Sequence, residues 1–238
     1  MVPATRGFSV RRLFGFRKSA PGRGDTAVVN GPAELVETVR ATGVRDRRVL
    51  EALRNVPRAR FVPEELVERA YLDVPLPIPH DQVTTQPSLS ARMIEALGLA
   101  GTERVLEIGT GYGFQTALLA RLGSFVWSIE RWPDLAETAR ANLARGGVEN
   151  VEVVVADGSL GLPDQAPFKA ILVSAAFPDV PAPLAEQLAA DGRLVQPIGP
   201  GGVENVLLFG KRHGKLEELR FLTGAHFVKL YGEHGFRP

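Results

Sequence analysis

Three glycines and two acids stand where they could bind an adenosine-containing ligand. Gly109, Gly111 and Gly113 follow directly on an apolar run and precede a helical pattern. A strand that enters a glycine-rich turn and a helix N-terminus is where α/β proteins bind nucleotide-like ligands. The next two apolar runs end in Glu130 and Asp157. Because an acid at the end of the second strand can accept hydrogen bonds from both ribose hydroxyls, the pattern predicts a nucleoside site.

The spacing of the glycine loop distinguishes between classes of adenosine ligand. A loop for dinucleotides has its third glycine one residue later, where this chain has Phe114. Glu107 lies two residues before Gly109, and we expect its carboxylate to face the ligand. This charge would repel a pyrophosphate and attract an ammonium or a sulfonium. S-Adenosylmethionine carries both cations and is the predicted cofactor; the alternative is a glycine turn that binds no ligand.

The glycine loop belongs to a longer alternation of strand and helix patterns. Strands are predicted at 104–109, 124–130, 151–156, 169–175 and 192–198, and helices at 113–122, 133–145 and 182–190. This alternation predicts an α/β fold with a mostly parallel sheet and helices on both faces. Runs at 206–210 and 225–230 are predicted to complete the sheet as antiparallel strands.

Short helices and a proline-rich segment precede this core. Helices are predicted from Pro32, after Asp46 as N-cap, and at 63–70. The segment 73–87 contains four prolines and is predicted to be an irregular loop. Because loops over a rigid scaffold often carry function, this loop is a candidate part of the site.

Charge separates a basic arm from a folded domain. Residues 1–30 hold six basic residues against one acid and lack hydrophobic periodicity, which predicts a disordered arm that is dispensable for folding. Residues 31–238 are predicted to form one S-adenosylmethionine-dependent methyltransferase domain. In it, 31–100 is the N-terminal helical and substrate-loop part and 101–238 is the cofactor-binding core.

Composition also limits the possible chemistry and partners. The chain has no cysteine, which excludes disulfides and thiolate nucleophiles, and its four histidines show no metal-ligand spacing, so no metal is predicted. A formal net charge of +1 gives no general case for nucleic acid. No apolar run is long enough to span a bilayer, so we expect a cytoplasmic protein with no membrane partner.

Four segments together resemble the protein-L-isoaspartate (D-aspartate) O-methyltransferase family. They are 48–63, with its Val-Pro and Phe-Val-Pro sequences, 71–78, the glycine loop with 128–131, and 157–158 with 175–176 and 192–195. The resemblance covers roughly residues 33–236. It implies a Rossmann-like class I methyltransferase with a mostly parallel seven-stranded sheet, helices on both faces and an N-terminal helical extension.

The resemblance implies which residues contact the cofactor, with Glu130 at the ribose and Asp157 and Gly158 at the adenine edge. With Glu107, the candidate contacts are Glu107, Gly109, Thr110, Gly111, Tyr112, Gly113, Glu130, Arg131, Asp157 and Gly158. In the family, a hydroxyl-bearing loop covers the methyl donor and holds the substrate carboxylate. The loop at 79–85 here has Thr85 and Thr84 as candidate catalytic hydroxyls, and the candidate substrate contacts are His80, Gln82, Val83 and Ser88.

The substrate loop departs from the family pattern, which usually reads Gly-His-Gly-Gln-Thr-Ile-Ser. Pro79 and Asp81 replace the two glycines, and Val83 replaces the first threonine. Near the C-terminus, Lys229 stands where the family usually has a proline. The charge of Asp81 opposes binding of a carboxylate unless the side chain points away or pairs with a cation such as Lys229.

The resemblance implies methylation of L-isoaspartyl (D-aspartyl) carboxylates in damaged proteins or peptides, which leads to repair through a succinimide. Such a carboxylate has a pKa of about 3.9, so it is ionised without a catalytic base. Three alternatives remain open: a relative that methylates an aspartate of a ribosomal peptide to form aspartimide, a cofactor-retaining binding protein with a closed acceptor site, and a nucleic-acid methyltransferase. The last is disfavoured because such an enzyme would have a motif such as Asn-Pro-Pro-Tyr after the fourth strand, whereas 174–178 reads Ser-Ala-Ala-Phe-Pro and has no comparable polar group to read a base.

Overall fold

The computed structural model describes residues 31–237, so the predicted arm at 1–30 lies outside the described residues. The chain begins with helices α1 (Pro32–Ala41) and α2 (Arg47–Asn55). Asp46 is the N-cap of α2 as predicted, since its carboxylate accepts hydrogen bonds from the backbone of Arg48 and Val49. Two 3-10 segments follow, Arg58–Phe61 and Glu64–Arg69. The short helix predicted at 63–70 is therefore present, as a 3-10 helix.

The proline-rich segment is not irregular, as was predicted, but contains a two-stranded hairpin. Strands β1 (Leu76–Ile78) and β2 (Gln82–Thr84) pair antiparallel, and α3 (Pro87–Leu97) follows. Prolines are tolerated because this sheet has only edge strands. Gln82 N–H donates to the Pro79 carbonyl across the turn, and the two central residues, His80 and Asp81, have φ of 61° and 53°, as in a type I′ turn. The hairpin therefore forms without the two family glycines.

The main sheet has seven strands in the order β5-β4-β3-β6-β7-β8-β9. They are β3 (Arg104–Ile108), β4 (Phe125–Glu130), β5 (Val151–Val155), β6 (Phe168–Val173), β7 (Leu188–Ile198), β8 (Glu204–Arg212) and β9 (Lys215–Ala225). Their connecting helices are α4 (Phe114–Ala120), α5 (Pro133–Arg145) and α6 (Ala182–Gln187). Strands β3 to β7 are parallel, and β8 is antiparallel to both neighbours, so the prediction of a mostly parallel sheet is confirmed.

Two predicted elements differ markedly from those in the structure. The helix predicted at 182–190 ends at Gln187, because Leu188 already pairs with Phe168 at the start of β7. The last strand ends at Ala225 rather than beginning there, and 226–230 contributes only a single bridge between Lys229 and Ala176. Both segments are short and apolar, and local patterns cannot determine which neighbour such a segment pairs with.

Helices and the C-terminal segment cover both faces of the sheet. Adjacent strand residues such as Val105 and Leu106 belong to two separate buried clusters, since successive side chains along a strand point to opposite faces. One cluster includes residues of α1 to α5, and the other includes Leu184 of α6 and Leu230. No helix among residues 31–237 is long and apolar enough to cross a membrane.

The sheet topology creates a crevice at one position. The chain passes from β3 outward to β4 and β5 and returns to β6 on the other side of β3. The loops that follow β3 and β6 therefore lead away in opposite directions. Ligands of open α/β sheets bind at this switch point, beyond the carboxyl ends of the strands.

Candidate active site

The glycine loop between β3 and α4 has a backbone that other residues would not adopt without strain. Gly109, Gly111 and Gly113 have φ of 96°, 56° and 89°. A Cβ at Gly109 would lie 3.4 Å from the Cβ of Ser174, and one at Gly113 would lie 3.3 Å from Leu143. The positive φ at all three positions favours glycine, and at Gly113 the space is also too tight for an unstrained Cβ, so the loop backbone stays accessible to a ligand.

Glu130 lies at the end of β4, where the sequence predicted a ribose-binding acid. Its carboxylate accepts hydrogen bonds from the backbone N–H of Gly111 at 2.9 Å and of Trp132 at 3.1 Å. Burial raises the pKa of this carboxyl, and these backbone donors oppose the increase. The side chain is only 5% exposed but lines the cavity, so its remaining lone pairs are available to a diol.

Glu107 does not face the ligand, and this prediction was wrong. The side chain is fully buried beneath the loop, where it accepts hydrogen bonds from Gln115 at 3.0 Å, Thr116 at 2.5 Å and Ser128 at 2.6 Å. Burial raises the pKa of Glu107 to about 7. Its carboxylate is held among these donors because β3 is covered on both faces, and it supports the loop from below.

Asp157 and Gly158 follow β5, and only the glycine reaches the cavity. The Asp157 carboxylate accepts hydrogen bonds from the N–H and hydroxyl of Ser159 and from Glu233 N–H at 2.7 Å. Burial raises the pKa of Asp157, but these hydrogen bonds outweigh it and hold the value below the ordinary one. The acid expected at the adenine edge instead fixes the C-terminal segment against the site.

A cavity of about 850 Å³, counting space open to solvent, lies beside the loop and Glu130. Predicted residues in its wall are Gln82, Val83, Thr84, Thr85, Gly109, Thr110, Gly111, Tyr112, Glu130, Arg131 and Gly158. Gly113 is absent from the wall because it caps α4 and packs against Leu143. Among residues 31–237, no cluster of three histidine or acidic side chains could hold a metal ion.

The two candidate hydroxyls have different environments. Thr84 is 8% exposed, and its hydroxyl oxygen accepts hydrogen bonds from Arg58 Nη2 at 2.9 Å and Leu76 N–H at 3.2 Å. Thr85 is half-buried and lines both the cofactor cavity and a second one. The Thr84 hydroxyl oxygen is therefore engaged within the hairpin, although Thr84 also lines the cofactor cavity, and Thr85 lies at the junction of the two cavities.

Two predicted substrate contacts lie elsewhere. The His80 ring stacks on Trp132 with centroids 3.9 Å apart, and its Nε2 lies 2.8 Å from Asp134 Oδ2. Ser88 is buried at the start of α3, where its N–H donates to Asp73 Oδ1 at 2.8 Å. Neither residue lines either cavity, because tertiary partners in α5 and the preceding loop hold both.

The replaced residues of the family pattern are accommodated separately. Asp81 is exposed at the hairpin turn and lines neither cavity, so its charge does not oppose a bound carboxylate. Lys229 lines the cofactor cavity, and its Nζ lies 4.7 Å from the centroid of the Phe236 ring. No ion pair joins Asp81 to Lys229 among the described residues, contrary to the pairing that we considered.

The second cavity adjoins the first on the side of β6 and the C-terminal segment. It has about 800 Å³, counting open space, and shares Val83, Thr85, Ser174 and Val228 with the cofactor cavity. The rest of its wall is Pro75, Gln86, Leu89, Gly224, Ala225, His226 and Phe227. An acceptor group could therefore approach a bound methyl donor from this side.

Sequence reasoning missed Arg58, which holds the hairpin in place. Its guanidinium is fully buried and donates to the carbonyls of Ala70, Leu72 and Val74 as well as to Thr84. Burial lowers the pKa of Arg58 to about 10. An arginine next to a proline gives no local sign of burial, so only the tertiary structure reveals this role.

This fold and site define a Rossmann-like class I methyltransferase, and comparison with known proteins gives the family. Residues 30–235 match the family described as Protein-L-isoaspartate(D-aspartate) O-methyltransferase. A protein-L-isoaspartate O-methyltransferase of Methanoculleus marisnigri is 49% identical over 205 residues, 86% of this chain and 93% of the relative. The chain belongs to the protein-L-isoaspartate (D-aspartate) O-methyltransferase family.

Solved structures agree with this assignment. A protein-L-isoaspartate O-methyltransferase structure superposes with a TM-score of 0.75 at 30% identity, over 86% of this chain and 67% of the other. A Plasmodium falciparum structure of the same description, in complex with S-adenosyl-L-homocysteine, gives a TM-score of 0.72 at 24% identity over 85% of this chain and 99% of the other. The second likeness supports the fold, and the expected class I architecture is confirmed.

Proposed function

We propose that this protein transfers the methyl group of S-adenosylmethionine to the free carboxylate of L-isoaspartyl (D-aspartyl) residues in damaged proteins or peptides. Family membership supports the reaction, and the two adjoining cavities support its geometry. The observation that carries the proposal is the position of Thr85, whose side chain belongs to both cavity walls. Damaged proteins and peptides are the proposed partners, and the cytoplasm is the proposed compartment.

The cavity residues fit S-adenosylmethionine. Glu130 offers a carboxylate to a ribose diol, and the glycine loop allows close approach of the backbone. Gln115 also lines the cavity, and its Oε1 is buried without a hydrogen-bond partner among the described residues. Because an unpaired buried acceptor is costly, a donor from the ligand would stabilise it. When bound, the cofactor supplies a methyl group already activated by its positive sulfur.

The remaining task of the protein is to align the acceptor and to exclude water. The carboxylate is ionised near neutral pH, so no residue has to remove a proton. We assign to the Thr85 hydroxyl a hydrogen bond to one carboxylate oxygen, which directs the other oxygen toward the methyl group. Correct orientation of reacting groups can lower a barrier by roughly 7–11 kcal/mol. The β1–β2 hairpin covers the site with Ile78, Gln82 and Val83.

A labelled-methyl assay tests the substrate. Wild-type protein is incubated with labelled S-adenosylmethionine and one of three acceptors: an isoaspartyl peptide, its normal aspartyl twin, or RNA. We expect base-labile methyl ester only on the isoaspartyl peptide, followed by conversion of part of that peptide to the aspartyl form. Labelling of the aspartyl twin would favour a dedicated aspartate methyltransferase. Cofactor binding without methylation of any acceptor would indicate a binding protein.

A further inference from the structure

We propose that Ser174 is a second catalytic hydroxyl, which donates a hydrogen bond to the acceptor carboxylate from the sheet while Thr85 donates from the hairpin. The inference deepens the proposed function and rests on it. Ser174 directly follows β6, and its N–H donates to the Ile108 carbonyl at 2.9 Å. Its side chain lines both cavities, and it packs against the glycine loop at Gly109. Ser174 is therefore placed where methyl donor and acceptor meet.

The orientation of the Ser174 hydroxyl is set by Gln115. Gln115 Nε2 donates to Ser174 Oγ at 2.7 Å and to Glu107 Oε1 at 3.0 Å. These two bonds use both N–H groups of the amide. The Ser174 oxygen is thus an acceptor toward Gln115, and the described residues offer no acceptor for its own O–H. That O–H is free to donate at the junction of the cavities.

Glu107 prevents the flipped orientation of the Gln115 amide, in which Oε1 instead of Nε2 would face Ser174 and Glu107. Thr116 and Ser128 donate to its other carboxylate oxygen at 2.5 Å and 2.6 Å, so the carboxyl group is fixed. If the Gln115 amide were rotated while Glu107 is ionised, its Oε1 would face Glu107 Oε1 and two acceptors would meet. The chain of bonds from Glu107 through Gln115 therefore keeps Ser174 as a donor toward the acceptor site. This gives the buried Glu107 a positioning role.

The role is consistent with the atom balance of the reaction. One carboxylate oxygen can accept hydrogen bonds from both Ser174 and Thr85, because it has two lone pairs. The other oxygen attacks the methyl carbon; the new O–C bond forms as the C–S bond breaks, and that electron pair stays on the sulfur, which becomes an uncharged thioether. Neither serine nor threonine gains or loses a proton. The two hydroxyls hold the acceptor and leave the attacking oxygen unhindered.

A matched pair of variants tests the hydroxyl. Ser174→Val and Ser174→Thr have the same shape and differ in the hydroxyl, and Ser174→Ala tests the site with a smaller side chain. For Ser174→Val and Ser174→Ala we expect kcat/KM with an isoaspartyl peptide to fall by roughly tenfold to hundredfold, because a charge-assisted hydrogen bond is lost. Ser174→Thr should keep most of the activity. Calorimetry should give S-adenosylmethionine affinities within about twofold of wild type for all three.

The results separate this role from a structural one. Losses that match between Ser174→Val and Ser174→Thr, or that follow reduced cofactor affinity or a lower melting temperature, would overturn the inference. Activity equal to wild type in Ser174→Ala would also overturn it. Wild-type turnover in the same assay distinguishes the proposed function from the role of Ser174. If the wild-type protein does not methylate the isoaspartyl peptide, the proposed function itself is contradicted. In a Gln115→Leu background, Ser174→Ala should cause almost no further loss of kcat/KM. Without Gln115 the Ser174 hydroxyl is no longer oriented, so its removal has little left to change.

Discussion

Arg58 Nη2 donates a hydrogen bond of 2.9 Å to the hydroxyl oxygen of Thr84 inside the protein. The same guanidinium binds three backbone carbonyls of the segment that leads into β1. The hairpin is thereby fixed with Thr84 turned inward, and the next residue, Thr85, is exposed to both cavities. A buried arginine thus holds the Thr84 hydroxyl oxygen within the hairpin, while Thr85 has the position shared by both cavities.

The loss of Arg58 should destabilise the whole protein. Arg58→Met would remove the donor to three carbonyls and one hydroxyl, of which the Ala70 carbonyl and the Thr84 hydroxyl are buried. Each unsatisfied buried group costs about 1–3 kcal/mol. We therefore expect the free energy of unfolding, measured by urea denaturation, to fall by at least about 2 kcal/mol. Arg60→Met is the matched control on the exposed side of the same turn and should change stability by about 0.5 kcal/mol or less. Equal stability of the two variants would contradict this role.

Thr85 and Thr84 should respond differently to the same substitution. Thr85→Val keeps shape and cofactor affinity but removes a donor to the acceptor, so turnover should fall by on the order of tenfold to hundredfold. Thr84→Val should instead lower stability by about 1–3 kcal/mol, because Arg58 and Leu76 lose their acceptor. Thr85→Ser is the control and should keep most activity. Full activity of Thr85→Val per folded molecule would move the assignment away from Thr85.

Glu130 should dominate affinity for the cofactor. We expect micromolar binding of S-adenosylmethionine by wild-type protein, and Glu130→Ala should weaken it by about 1.5–3 kcal/mol, the value of hydrogen bonds to a charged group. This corresponds to a roughly tenfold to hundredfold higher Kd by calorimetry. Glu130→Gln, which retains one acceptor oxygen, should lie between the two. Unchanged affinity in Glu130→Ala would refute the placement of the ribose beside β4.

The stack of His80 on Trp132 should slow release of the cofactor. The hairpin lines the cofactor cavity, and its turn is held to the start of α5 by this stack and by Asp134. An aromatic pair contributes about 0.5–1.5 kcal/mol, whereas a largely exposed ion pair contributes little. His80→Ala should therefore increase the dissociation rate of S-adenosylmethionine by roughly twofold to tenfold in stopped-flow measurements. Asp134→Asn should increase the dissociation rate less than His80→Ala does. A larger increase would mean that the contact between His80 and Asp134, and not the stack on Trp132, holds the hairpin turn.

Glu107 should make stability depend on pH in the cofactor-free protein. Its pKa is raised from 4.5 to about 7 by burial, so between these values the folded state binds more protons than the unfolded chain. The contribution of Glu107 to stability should therefore decrease as pH rises from 4.5 to 7 and stay constant above. The difference in unfolding free energy between wild type and Glu107→Gln should change by at most about 3 kcal/mol over this range. A difference independent of pH would mean that Glu107 stays ionised throughout.

The sequence by itself determined the fold class and the cofactor end of the site. Strand and helix periods alternate over residues 104–198, and a covered parallel sheet follows because both faces must be buried. The glycine loop and Glu130 could be located because both are local: a backbone with positive φ needs glycine, and an acid that ends a strand of a parallel sheet lies at its ligand-binding edge.

Only the tertiary structure decided which polar side chains reach the ligand. Glu107, His80, Ser88 and Asp157 were expected in the site, but each finds hydrogen-bond or stacking partners from distant segments. Conversely, Ser174 and Gln115 enter the cavity wall although no motif marked them. The physical reason is that a buried polar group must be paired, and its partners come from segments far apart in the chain. Spacing along the sequence carries no information about such pairing.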